Sequence, residues 1–185
     1  MAAAILVVLF AMSAVDAHAA DQTDTPTAVV RLDNVALVPA DYLEFAESRA
    51  AEVFDRIGVR VTWIDEDTAF RDHLRPPFTV VLIKSGVELL TRPAVVDALG
   101  FADPSVSRAH VIYDRVEALT ARSPGSAASL LGDVIAHELG HLMLPSLRHS
   151  ARGIMRSGVD VHTRPLETFT DPQARQIVTR LTVGR

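Results

Sequence analysis

The chain has 185 residues, of which 49% are apolar, 22% charged and 5% aromatic, enough for one domain with a real core and not the composition of a disordered chain. Its net charge of −5 comes with no basic run, which argues against nucleic acid or an anionic membrane surface as a partner. It has no cysteine, which excludes disulfides, a cysteine lipid anchor and a cysteine that caps a metal.

Residues 1–19 read as a secretory signal. Ala2 to Ala14 is an apolar run too short to span a bilayer. Ala17-His18-Ala19 is a small-x-small cleavage pattern, followed by polar Asp21-Gln22-Thr23-Asp24. The n-region carries no Lys or Arg, so its only positive charge is the amino terminus. The expectation is a secreted or periplasmic protein, cleaved near Ala19 or Ala20, with no stable membrane insertion afterwards. Residues 20–27 are then a linker, and 28–185 a single domain.

Ala28-Val29-Val30-Arg31-Leu32 and Val35-Ala36-Leu37-Val38 look like strand material. Pro39-Ala40-Asp41 precedes a helix over about 41–57, with Leu43, Phe45, Ala46, Ala50, Val53, Phe54 and Ile57 as its apolar face and Gly58 at its end. Val59 to Asp65 alternates as a strand, and Phe78 to Ile83 is a strand suited to burial on both faces. Thr91 to Leu99 is a short helix closed by Gly100, and Ala109 to Tyr113 a further strand. A last helix starts at Thr170-Asp171-Pro172 and runs to about Leu181.

Between these lies the most informative stretch, Ser126 to Met143. Leu130, Leu131, Val134, Ile135, Leu139 and Leu142 recur at helical spacing, so it is an amphipathic helix. Ser123-Pro124-Gly125 is a turn signal before it, Ser126 can cap it, and Pro145 stops it. The helix carries His137-Glu138-Leu139-Gly140-His141. Residues four apart share a helix face, so His137 and His141 can offer two imidazole nitrogens to one metal ion. Glu138 can stand beside the metal without binding it and take a proton from metal-bound water. A catalytic zinc takes three protein ligands. His149, just past the proline break, is the nearest third candidate, and Gly153-Ile154-Met155 follows it.

These residues resemble the zincin class of zinc metallopeptidases, and within it the metzincins. In that group a helix carries His-Glu-x-x-His, a third histidine follows a tight turn, and a methionine turn lies under the metal. His137, Glu138, His141, His149 and Met155 match those roles in order. Leu144 stands where the metzincin pattern has glycine, and His149 lies two residues beyond the pattern's third histidine, where this chain has Leu147. The resemblance implies an α+β fold: a mixed twisted β-sheet with a backing helix, an active-site helix and a C-terminal helix. By position, the strand around His110 to Asp114 would be the sheet edge lining the cleft.

The function implied is a zinc-dependent metalloendopeptidase with a single Zn2+ on His137, His141 and His149, with Glu138 as general base and a peptide or protein as substrate. Glu167 is the alternative third ligand, as in zincins that use a downstream glutamate. A non-catalytic zinc domain with a structural or partner-binding role is the alternative function. Met155 is either the methionine of the turn or an ordinary core methionine. Asp133, one turn before His137, is either a partner for that histidine or a solvated helix residue. Tyr113 is either an oxyanion donor or a packing residue. His18, His73, His110 and His162 have no partner spacing. Arg148, Arg152 and Arg156 form a basic edge near the proposed metal loop. The sequence specifies no oligomeric state.

Overall fold

The computed structural model describes residues 25–64, 77–86, 98–121, 126–158 and 165–183. The signal segment, His73, His162 and nearly all of the helix expected from Thr91 lie outside the described residues. The elements in order are β1 (Thr27–Asn34), α1 (Ala40–Asp55), β2 (Arg60–Ile64), β3 (Phe78–Ile83), β4 (Gly100–Asp103), β5 (Arg108–Ile112), α2 (Tyr113–Thr120), α3 (Ser126–Met143) and α4 (Asp171–Val183). Together they make an α+β fold with a five-stranded mixed sheet. Among the described residues no helix is long and apolar enough to cross a membrane.

The strands stand in the order β2-β1-β3-β5-β4. The first four run parallel, and β4 lies antiparallel against β5 at the edge, with Gly100 opposite Val111 and Phe101 opposite His110. Alternation along each strand splits its side chains between two faces. Ala28, Val30 and Leu32 of β1, Phe78, Val80 and Leu82 of β3, and Ala109 and Val111 of β5 join α1 and α3 in the main core. Val81, Ile83, Phe101 and Ile112 form a smaller cluster on the other face.

The predicted helix over 126–143 forms with those bounds. It is more deeply set than an amphipathic surface helix. From Ala127 to Leu144 every residue is buried except Ser129, Asp133 and His137, which are half-buried and spaced four apart on one stripe. Leu130, Leu131, Ile135 and Leu139 are fully buried, and each such side chain contributes roughly 1.5–3 kcal/mol. The close approach of α1 to α3 depends on Gly132, where a Cβ would lie 2.8 Å from the Ala46 carbonyl oxygen. One residue on, Asp133 accepts two hydrogen bonds from Arg49 of α1, at 2.8 and 3.2 Å. Asp133 is therefore an ion-pair partner in the helix–helix interface, neither a solvated residue nor one whose contacts are confined to its own helix.

Four local expectations are corrected. Val35 to Val38 is a turn and its exit, not a strand. Leu37 takes a left-handed φ of 59°, and Asn34 braces the turn by accepting from the Val38 N–H at 2.8 Å and donating to its carbonyl at 2.9 Å. Gly100 opens strand β4 instead of closing a helix. β5 is interior, and β4 is the edge: Asp103-Pro104-Ser105 is a turn sequence that returns the chain alongside, with Asp103 accepting from the Ser105 amide at 3.1 Å. Tyr113 begins a helix, α2, and is buried in the main core, so it packs and does not line a cleft strand.

Candidate metal centre

His137 and His141 sit one turn apart on α3, as their spacing predicts. The helix ends with the Leu144 amide donating to the Gly140 carbonyl at 2.9 Å, immediately before Pro145. The chain then doubles back and brings His149 to the pair. His141 Nε2 lies 3.1 Å from His137 Nε2 and 3.3 Å from His149 Nε2. One ligand atom from each of the three residues lies within 4.8 Å of the others. The two-residue delay of His149 is absorbed by the exposed stretch from Pro145 to Arg148.

A turn beyond His149 fixes this arrangement from below. The Ser150 amide donates to the Met155 carbonyl at 2.8 Å, and the Arg156 amide to the Gly153 carbonyl at 3.1 Å. Gly153 has φ +76°, and a Cβ there would lie 2.6 Å from the Thr168 carbonyl oxygen, so both backbone conformation and space call for glycine. The Ile154 amide donates to that same Thr168 carbonyl at 3.0 Å. Thr168 in turn donates its hydroxyl to the Val53 carbonyl of α1 at 3.0 Å. The turn is thus tied through the 165–170 segment to α1.

That turn supplies what His137 needs. His137 Nδ1 lies 2.7 Å from the Ile154 carbonyl oxygen. A carbonyl only accepts, so Nδ1 carries the proton and Nε2 presents a lone pair. Burial, with a smaller push from His149, lowers the pKa of His137 against the opposing Ile154 hydrogen bond. Burial, then His137 and His149, pushes His141 down to about 4. Both imidazoles are neutral at pH 7, the state that binds metal. Met155 is fully buried, beneath Gly140, and packs rather than reacts.

Glu138 is the other unusual group. Its side chain is 5% exposed, and burial pushes its pKa up to about 8. Among the described residues its Oε2 has no hydrogen-bond partner. A buried carboxyl with a free oxygen is costly unless something outside the chain meets it. Beside it in sequence, one ring nitrogen from each of three histidines converges within 4.8 Å of the others, and His137 presents its Nε2 lone pair to that point. A borderline-soft divalent ion such as zinc fits that donor set.

The other candidates stand apart from this cluster. Glu167 is ion-paired with Arg156 at 3.0 Å and does not join the three histidines. Arg148 and Arg152 are exposed. His110 faces away from the main core, its ring stacked 4.6 Å from that of Phe101. The sequence carries no signal for the Ile154 carbonyl or for Thr168 as contributors, because both act through contacts distant in sequence.

Solved structures share the fold. Archaemetzincin from Methanopyrus kandleri matches with a TM-score of 0.55 at 14% identity, over 86% of this chain and 98% of that one. A zinc-dependent peptidase from Methanocorpusculum labreanum matches with a TM-score of 0.55 at 14% identity, over 80% of this chain and 99% of that one. No protein-family model and no curated protein matches the chain. The chain therefore has a metzincin-like fold, whose central buried helix carries two of three converging histidines.

Proposed function

We propose that the protein is a zinc metalloendopeptidase, with a single Zn2+ held by His137, His141 and His149. The convergence of the three Nε2 atoms carries this reading. The buried Glu138 carboxyl supports a catalytic site over a purely structural one. The fold likeness to a protein described as a zinc-dependent peptidase supports a peptide substrate. With three protein ligands, a bound zinc would keep a position for water or substrate, as catalytic zinc sites do. Bound there, zinc would supply a Lewis acid that polarises a carbonyl and acidifies water.

The chain's own part is proton transfer and alignment. A bound cation beside Glu138 would favour its carboxylate over the protonated form that burial alone selects; as the carboxylate, Glu138 takes a proton from the attacking water and passes it to the leaving amine. One water is consumed: its hydroxyl goes to the acyl carbon and its proton to the nitrogen. Among the described residues the outer side of β4 is unpaired, which suits an extended peptide adding to the sheet edge. The sequence pattern of residues 1–19 supports export, with 28–185 as the catalytic domain.

The test is zinc content and peptide cleavage of the parent beside two variants. About one zinc per chain is expected in the parent, with much weaker binding in His149→Ala. Glu138→Ala should keep its zinc and lose hydrolysis by about 10²–10⁴-fold. Cleavage at the parent rate without Glu138 would sink the mechanism. A parent with zinc and no cleavage of a peptide library would be a non-catalytic zinc domain.

A further inference from the structure

We propose that Gly100, at the start of the edge strand, is a positioning residue for Glu138; this rests on the reading of Glu138 as the proton-carrying group. Glycine is not there for backbone freedom, because its φ lies outside the left-handed region. It is there for space. A Cβ at position 100 would lie 2.8 Å from Glu138 Oε1 and 2.9 Å from Glu138 Cγ. Real Cβ atoms do not approach other atoms so closely, so any side chain at 100 displaces the Glu138 carboxyl or the strand.

The bare backbone of β4 therefore forms one wall of the Glu138 side chain. It holds Oε1 on one side and leaves Oε2 as the oxygen with no partner among the described residues. Packing of this kind selects one rotamer of a group whose work depends on direction. Nothing else on β4 reads this way: Phe101 and Ala102 are buried apolar residues. The competing account is strand pairing alone, because the same Cβ would also lie 2.7 Å from the His110 carbonyl oxygen of β5.

A double-mutant cycle separates the two. Gly100→Ala is made in the parent and in Glu138→Ala, and thermal unfolding is followed on metal-free protein. If the glycine makes room for Glu138, the loss of Tm caused by Gly100→Ala shrinks by at least roughly 3 °C once Glu138 is alanine. Folding of the double variant where Gly100→Ala alone does not fold supports the proposal equally. An equal loss in both backgrounds, or failure of both to fold, assigns Gly100 to strand pairing and overturns it.

Kinetics give the second readout. Folded Gly100→Ala should keep about one zinc per chain and a KM within about twofold of the parent, while kcat falls about a hundredfold. An unchanged kcat overturns the positioning role. The unfolding cycle needs no activity, so a parent that cleaves nothing overturns the peptidase reading, while the cycle decides separately whether Gly100 sets the Glu138 side chain.

Discussion

A Cβ on Gly140 would lie 2.5 Å from the sulfur of Met155 and 2.7 Å from Cε1 of Phe169. The histidine helix and the turn that carries Met155 touch at a point with no room for a methyl group. In an ordinary helix interior, glycine to alanine stabilises by about 0.5–1 kcal/mol. Here the sign should invert. Gly140→Ala is expected to cost about 1–3 kcal/mol and to weaken zinc binding, because the turn that supplies the Ile154 carbonyl must move. Thermal unfolding with a competitive zinc titration checks both; a more stable variant with parental zinc affinity would refute the contact.

Met155 acts here by filling space. Met155→Ala leaves a cavity in a fully buried position and should cost about 2–5 kcal/mol. Met155→Leu nearly conserves volume and should cost less than about 1.5 kcal/mol, with hydrolysis kept. Urea unfolding and a peptide assay read the two together. Loss of activity in a stable leucine variant would mean that the sulfur itself matters.

The metal-free protein should lose stability on both sides of its site's titrations. His137 and His141 have pKa values lowered from 6.5, to about 4 for His141. Between those values the unfolded chain binds more protons, so their contribution falls as pH drops through that window. Glu138 has its pKa raised from 4.5 to about 8. Between those values the folded chain holds a proton that the unfolded chain has released, so its contribution falls as pH rises. Above about pH 7.5, a unit past the ordinary histidine value, only Glu138 of these three still acts. The Tm of parent protein in chelator should decline from pH 6.5 to 8 more than that of Glu138→Gln. Parallel curves over that range would show that the carboxyl is not held protonated by the fold.

Glu167 pairs with Arg156, and both side chains are more than a third exposed. Such a pair contributes at most about 1 kcal/mol. Glu167→Gln should therefore change unfolding little and leave zinc content at the parental level. Zinc lost from this variant, measured by elemental analysis, would return Glu167 to the ligand set.

One part of this structure follows from short-range rules. The helix from Ser126 to Met143 is written in its apolar spacing and in Pro145, and the pairing of His137 with His141 follows from helical pitch. The C-terminal helix is likewise local: Gln173 reaches back to accept from the Thr170 amide at 2.9 Å, a capping pattern visible in the sequence. Tertiary structure alone decided the rest. Strand β4 has four residues, too few to show a period, and its place at the edge depends on pairing with β5. The proton on His137 Nδ1 is set by a carbonyl seventeen residues away. Arg49 meets Asp133, and Gly100 meets Glu138, only because separate elements pack without gaps. A sequence records the periodicity of a helix or strand within its own residues; it does not record which backbone atom will lie against a given side chain, because close packing settles that for the whole domain at once.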